Sequence, residues 1–453
     1  MKSFDVVIIG GGPGGIYTSI LTQQLGKTVA LIQDEQESLG GVCLNRGCMP
    51  TKSLLKAATA YRYAKQGAKY GLNITAPPID LSQLRAVTDE DLEKLRFGIQ
   101  GMIDGAGIPV FRGRGAFKSA HEIIITKADG DSELIRGEQI VIATGSHPAE
   151  LPFATFDGTH ILSSDQLLKN KVLPEKLLIL GGGAIGCEFA TMYHTFGSDV
   201  CLVEAQESLM PREDRDAGLK LKELFEAQGI KVMTGTTIKS LTIENGKVKV
   251  AYSNSSETDT VDKVLVGIGR KANTNGLNLE AAGVATEQGT ISVNTFMQTS
   301  VPHIYALGDA IGGLMLSHAA EKEAAVLALN MLSPNSHPLE ESAVPRVAFC
   351  SPEIAAVGVS KVTDGIKAFT MHQVPNGRSV VDKVPPAFVK MFIEENSRVV
   401  AGAIIIGEAA TEMIHEMALA VENRLTVEQI GKTVHVHPAH SKNIAIAAHQ
   451  INC

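Results

Sequence analysis

Two stretches of the chain repeat one order of apolar and glycine-rich segments. In "DVVIIGGGPGGIYTSILTQQLGKTVALIQ", residues 5–33, the run Val6–Ile9 is apolar on both faces, as a strand buried in a parallel sheet requires. Gly10, Gly12 and Gly15 follow in G-x-G-x-x-G spacing, then a helix-like stretch, then the apolar run Val29–Ile32. The pattern predicts strand, glycine turn, helix, strand. It recurs at residues 177–204, "LLILGGGAIGCEFATMYHTFGSDVCLVE", with Gly181, Gly183 and Gly186 in the same spacing. In each copy 23 residues lead from the first glycine to the end of the second strand, from Gly10 to Gln33 and from Gly181 to Glu204. One such motif is weak evidence; two of matching length, each after an apolar strand and before a helix, are strong.

The chemistry of the pattern is phosphate binding. The first glycine permits the tight turn, the second lets backbone approach a pyrophosphate, and the third lets helix pack on strand. The helix N-terminus adds unpaired N–H groups and partial positive charge. An acid at the end of the second strand accepts hydrogen bonds from a ribose 2′-OH. Glu204 fits that role and points to NAD(H), since a 2′-phosphate would meet like charge. The first copy ends in Gln33, whose amide also bonds a diol, with Asp34 beside it. Two dinucleotide sites in one chain imply electron traffic, with FAD the natural occupant of the first. Two apolar strands running into glycine turns, "IVIATGSHPAELP" (140–152) and "IYALGDA" (304–310), support this, and Asp309 stands where a carboxylate could meet ribityl hydroxyls.

A length of 453 residues predicts two to four domains. The 44% hydrophobic and 20% charged content is that of a globular protein. A net charge of -8 without a long basic run argues against a nucleic-acid surface. No segment approaches the roughly 20 apolar residues of a membrane span, and the short apolar run at the start reads as a strand entering a turn rather than a leader. Six cysteines (43, 48, 187, 201, 350 and 453) are too few for a secreted scaffold, so a reducing cytoplasm is expected. Cys187, Cys201 and Cys350 fall in apolar contexts and read as packing residues. The segment "GGVCLNRGCMPTK" (40–52) places Cys43 and Cys48 between glycines and Lys52. The residues alone leave a structural staple, half a metal site, two buried thiols or a redox couple open.

Over nearly its whole length the chain resembles the FAD-dependent pyridine nucleotide–disulfide oxidoreductases, and among them the dihydrolipoamide dehydrogenases most. "GGGPGG", "GGVCLNRGCMPTK", "ATGS", "GGGAIGCE", "GIGRKAN", "TSVPHIYALGDA", "MLSHAAEKEA", "SPEIAAVG" and "HVHP" carry the resemblance, the cysteine segment most specifically. It implies an α/β fold: a Rossmann-like FAD domain from 1–148 and 271–340, a Rossmann-like NAD domain at 149–270, and a C-terminal α+β dimerisation domain at 341–453. It also implies a homodimer whose active sites each borrow a histidine from the partner.

By that resemblance Cys43 and Cys48 form a redox disulfide, Cys48 on the flavin side and Cys43 the outer, interchange sulfur. Helix N–H groups and Lys52 would favour thiolate. A metal site fits less well, because C-x4-C has no second pair. Lys52 and Glu188 are implied as an ion pair beside the flavin. FAD is expected at Gly10, Gly12, Gly15, Gln33, Gly41, Lys52, Gly115, Thr144, Gly145, Ser146, Asp309, Met315, Leu316, Ser317 and His318. NAD is expected at Gly181, Gly183, Gly186, Glu188, Glu204 and Gly269. His437, followed by Pro438, matches the family's base, which takes a proton from a substrate thiol. Zinc at His435, His437 and His440 is not expected, as Pro438 breaks the local pattern and no cysteine joins them.

The match then degrades. The family continues His-Pro-Thr-x-Ser-Glu, whereas this chain reads "HPAHSK", with Ala439 for threonine and Lys442 for the glutamate that orients the imidazole. Either another acid substitutes, Glu408 or Glu412, or the base is weak and turnover with free dihydrolipoamide slow. Cys453 is a single terminal thiol, not the adjacent pair of a redox tail. The expected activity is electron exchange between NAD(H) and a lipoyl dithiol, with a lipoyl-bearing carrier protein or 2-oxoacid dehydrogenase-type complex as partner. Rival readings are a reductase of another disulfide or of mercuric ion, a subunit serving one dedicated carrier, and an NADH oxidase-like flavoprotein.

Overall fold

A computed structural model describes residues 1–253, 258–374 and 376–451, so Cys453 lies outside the described residues. The chain divides into two compact units: 1–53, 85–149 and 270–340, and 54–84, 150–269 and 341–453.

The first unit is built on a seven-stranded sheet. Its parallel part runs Val110–Arg112, Val29–Gln33, Lys2–Ile9, Ser132–Ile142, Ile304–Ala306, and an antiparallel meander of Glu122–Thr126 and Arg114–Phe117 continues from the Ser132 end. Side chains along Lys2–Ile9 and Val29–Gln33 alternate between two cores. Val6, Ile8 and Leu31 pack with Ile16 of helix Pro13–Gln24 and Ala320 and Ala324 of helix Ser317–Leu332. Val7, Ile9 and Ile32 pack with Phe117, Ile123 and Ile125. Both faces are dry, which is why these strands read as unbroken apolar runs.

The second unit holds a five-stranded parallel sheet in the order Lys231–Met233, Asp199–Val203, Lys176–Leu180, Lys263–Val266, Ile161–Leu162. Leu177 and Ile179 meet Phe189 and Tyr193 of helix Ala184–Phe196, while Leu178 and Leu180 face Val248, Val250 and Tyr252 of a separate three-stranded sheet. The same unit carries an antiparallel five-stranded sheet, Arg346–Ala348, Glu353–Gly358, Val400–Gly407, Ala387–Glu394, Ile366–Val374, backed by helices Ala410–Glu422 and Lys442–Ile451.

A buried cation joins parts of this second unit. Asp214 caps helix Arg215–Gln228, its Oδ1 accepting the N–H groups of Asp216 and Ala217. Its Oδ2 accepts from Lys390 Nζ at 2.8 Å, and the same ammonium reaches Asp216 Oδ2 at 2.8 Å. Lys390 is only 5% exposed, although it lies in a strand. Removing one member of a buried pair leaves an uncompensated charge, at a cost of about 3–5 kcal/mol. The half-exposed Asp216 contributes little. Lys390→Met should therefore lower the urea midpoint by the equivalent of about 3 kcal/mol, and an unchanged midpoint would show that this cation does not hold the helix cap.

Candidate functional site: two dinucleotide turns and a dithiol

The two glycine turns are built alike. A Cβ on Gly15 would lie 1.9 Å from the Gly10 carbonyl oxygen, and one on Gly186 would lie 1.8 Å from that of Gly181. Each helix is thus pressed against the strand that precedes it, and only glycine allows the approach. Gly12 and Gly183 are different. Their φ angles, -75° and -78°, suit any residue, and a Cβ there would meet no protein atom within 4 Å. The chain itself does not require glycine at these two positions. A pyrophosphate resting on the helix N-terminus does, so the residues fit dinucleotides in both turns.

The residue closing each second strand bonds its own turn in the same way. Gln33 Oε1 accepts the Gly11 N–H at 2.7 Å, and Glu204 Oε2 accepts the Gly182 N–H at 2.6 Å. Glu204 Oε1 also accepts the Gln206 N–H at 2.7 Å. Asp34, the neighbour of Gln33, is occupied elsewhere: it accepts from Arg114 Nε at 2.9 Å and from the Gln36 N–H at 3.0 Å. Gly41 closes over the first turn, since a Cβ there would come within 2.7 Å of Gly12 Cα. Gly115 lies on strand Arg114–Phe117, packed on Ile9 and Ile32, and Gly269 lies just before strand Arg270–Ala272.

A polar cluster forms where strands Ser132–Ile142 and Ile304–Ala306 end. Thr144 Oγ1 donates to the Asn273 carbonyl at 2.7 Å, and the Gly145 carbonyl accepts the Asn273 N–H at 2.9 Å. The Ser146 hydroxyl donates to Asp309 Oδ2 and accepts from Arg270 Nε at 2.7 Å. Buried Glu323 accepts the Gly308 N–H at 2.6 Å and so fixes the turn that carries Asp309. Asp309 is thus held by Ser146, a contact that the local sequence pattern does not signal. Met315 and Leu316 lead into helix Ser317–Leu332, which begins Ser317-His318.

Cys43 sits in helix Gly41–Arg46 and Cys48 is the first residue of helix Cys48–Lys65. Both are thiols with no disulfide between them, Cys43 half-buried and Cys48 exposed. Their side chains hydrogen-bond, and this bond, then burial and charge on Cys48, push the Cys43 thiol far above its usual range; Ser317 and Lys52 pull the other way. Lys52 favours thiolate at Cys43, as expected, but the neighbouring sulfur and burial outweigh it. Cys43 thus holds its proton beside a second sulfur, because negative charge there is disfavoured by that neighbour and by burial. Lys52 is half-buried one turn into its helix, in the first unit. Glu188 is buried in helix Ala184–Phe196 of the second, accepting the Phe349 N–H at 2.9 Å.

The histidine segment separates. His435 Nε2 lies 3.0 Å from Glu416 Oε2, and His440 Nε2 lies 2.9 Å from Asp382 Oδ2, which also accepts from Arg378 Nε at 2.7 Å. Burial pushes Asp382 up, but Arg378 and His440 outweigh it and hold its carboxyl below the usual range. His437 is exposed, and among the described residues its ring has no hydrogen-bond partner. Among the described residues neither Glu408 nor Glu412 hydrogen-bonds His437; Glu416 and Asp382 bond the other two histidines. Lys442 opens helix Lys442–Ile451. Among the described residues no three His, Cys, Asp or Glu side chains converge as metal ligands, and no helix is long and apolar enough to cross a membrane.

Sequence reasoning missed Arg270, Glu323 and Asp382. Arg270 follows the predicted Gly269, so proximity was a usable signal. Asp382 is 58 residues from His440 and had none.

Comparison with known proteins bears on the whole chain. Residues 4–324 match the family model described as pyridine nucleotide-disulphide oxidoreductase, and residues 344–448 match that family's dimerisation domain. A dihydrolipoyl dehydrogenase of Bacillus subtilis (strain 168) is 34% identical, spanning 98% of this chain and 97% of that protein. One of Chlamydia muridarum is 36% identical over 96% and 94%. Among solved structures, LpdA from Mycobacterium tuberculosis superposes with TM-score 0.90 at 29% identity, and the HOCl-induced flavoprotein disulfide reductase RclA from Escherichia coli with TM-score 0.89 at 26%, each covering 100% of both chains. Paired turns, adjacent thiols and full-length likeness agree: the chain belongs to the pyridine nucleotide–disulphide oxidoreductases, flavoprotein enzymes that use FAD and NAD(H), and it carries their dimerisation domain.

Proposed function

We propose that this oxidoreductase passes two electrons between NAD(H) and a lipoyl dithiol/disulfide through Cys43 and Cys48, as a homodimer serving a lipoyl-bearing carrier protein or 2-oxoacid dehydrogenase-type complex. The observation that carries it is the hydrogen-bonded Cys43–Cys48 thiol pair, in the unit that also holds the first dinucleotide turn. The turn at Gly10, Gly12 and Gly15 would hold the FAD pyrophosphate, with Gln33 towards the ribose and Asp309, Thr144 and Ser146 towards the ribityl side. Gly181, Gly183 and Gly186 would hold NAD, with Glu204, whose oxygens keep lone pairs for ribose hydroxyls, rejecting a 2′-phosphate. Bound FAD and NAD(H) supply the hydride and electron transfer that side chains lack.

The thiol chemistry is the chain's own. A dihydrolipoyl thiol gives its proton to His437, and the thiolate attacks Cys43 Sγ, breaking the Cys43–Cys48 bond and forming a mixed disulfide. The second lipoyl sulfur displaces Cys43 and closes the lipoyl disulfide. Two electrons then reside on the protein as the Cys43 and Cys48 dithiol, and the two substrate protons pass through His437 to that dithiol and solvent. The base stands on a segment pinned by Asn376, which donates to the Ala439 carbonyl at 2.9 Å, and by the His440–Asp382 pair.

One observation favours a second reading, a reductase of another disulfide or of mercuric ion: among the described residues His437 has no carboxylate partner to stabilise an imidazolium. Relative rates with free dihydrolipoamide, a lipoylated carrier domain and other disulfides separate the readings. A marked preference for a disulfide other than lipoamide would overturn the lipoyl assignment.

Three outcomes are expected. Anaerobic NADH should convert two sulfurs of the oxidised wild type, those of Cys43 and Cys48, into alkylatable thiols. Cys43→Ser and Cys48→Ser should each lose dihydrolipoamide oxidation on the order of a thousandfold, and a Cys48→Ser variant at full speed would end the account. Lys442→Glu should quicken oxidation of free dihydrolipoamide about tenfold, a barrier change of about 1.4 kcal/mol. The new acid would stand at a helix N-terminus, where negative charge is favoured, so folding should not suffer. A rate that is unchanged or lower on this substitution would refute the role given to Lys442.

A further inference from the structure

We propose that the Ser317 hydroxyl is a catalytic residue of the dithiol, donating a hydrogen bond to whichever of the two sulfurs carries the negative charge and so keeping the reduced pair a monoanion ready for exchange. This rests on the redox role given above to Cys43 and Cys48.

Ser317 Oγ lies 4.0 Å from Cys48 Sγ, and its hydroxyl also draws the Cys43 thiol down. The two thiols are neighbours, so one hydroxyl serves both. A hydroxyl rotor has a single proton to give and can turn it towards either acceptor. Helix formation does not explain the serine. Ser317 is the first residue of a 16-residue helix whose cap, Leu316, makes no side-chain bond. Serine helps a helix chiefly as the N-cap residue, not one position further in. Cys48 is itself the first residue of helix Cys48–Lys65. Its sulfur therefore lies near the N-terminal ends of two helices, where partial positive charge favours an anion.

The groups that bear on Cys43 are Cys48, Lys52 and Ser317; His318 follows Ser317 and is exposed. Among them the hydroxyl is the strongest influence drawing the Cys43 proton off, ahead of the Lys52 charge. A neutral donor has an advantage here: it stabilises a thiolate on either sulfur without moving a charge as the proton changes place.

The test uses the FAD-loaded enzyme, reduced and alkylated with iodoacetamide across a pH series. Peptide mass spectrometry follows Cys43 and Cys48 in wild type, Ser317→Ala and Ser317→Thr. Alanine is a good helix former, so the Ala variant should fold. Ser317→Ala should shift the alkylation profile up by about one pH unit, making labelling near pH 7 about tenfold slower, and Ser317→Thr should restore it. Equilibration with glutathione should show the Ala dithiol about tenfold more readily oxidised, a potential lower by about 30 mV. If the oxidised wild type has no Cys43–Cys48 disulfide, the underlying reading falls. If the disulfide is present but Ser317→Ala labels and equilibrates like wild type, the role of Ser317 alone is overturned.

Discussion

The constraint on which both dinucleotide halves depend is the contact of one backbone with another. Gly15 and Gly186 bring their helices so close that a single added carbon would lie within 2 Å of the carbonyl of Gly10 or Gly181. No side chain could relax such an overlap, because the opposing atom is backbone. The contact fixes where each helix starts and therefore where its unpaired N–H groups point. Gln33 and Glu204 then tie the strand end to the turn through the same hydrogen bond, 22 residues apart in both copies. A neutral amide does this in one turn and a carboxylate in the other, so charge can differ between the sites while geometry does not.

The dithiol is governed by a different balance. At Cys43 the neighbouring sulfur and burial resist negative charge, and that resistance outweighs Lys52 and the Ser317 hydroxyl. A pair that keeps one proton is suited to exchange. One sulfur is a nucleophile, while the other can wait as a thiol until the first is engaged. Surroundings that removed both protons would bind the reduced state too well to give its electrons up.

Features carried by local pattern were legible in the sequence. The two glycine turns, their flanking strands, the residues that end them and the cysteine segment all lie within windows of about 30 residues, and period and spacing report on such windows. What stayed hidden joins distant residues. Ser317 meets a cysteine 269 positions away, Arg270 bonds Ser146 across 124, and Lys390 anchors a helix cap across 176. Ser317 was legible as part of a motif, but nothing in "MLSHAAEKEA" indicates that its hydroxyl faces sulfur. A lysine in the apolar strand "AFVKMFIE" gives no sign of which acids neutralise it.

The histidine segment shows the same limit from the other side. Its departure from the family pattern was plain in "HPAHSK", yet the acid that answers it is Asp382, and it answers the wrong histidine. Asp382 Oδ2 is already shared between Arg378 and His440. A carboxylate oxygen so engaged holds His440 and shapes the loop, but it cannot also stabilise an imidazolium at His437. In the function proposed above, a base at His437 has no carboxylate partner among the described residues, and more of the work of making a nucleophile falls on the sulfurs' own surroundings. That shift gives a hydroxyl beside Cys43 and Cys48 greater weight here than in a chain whose base keeps its glutamate.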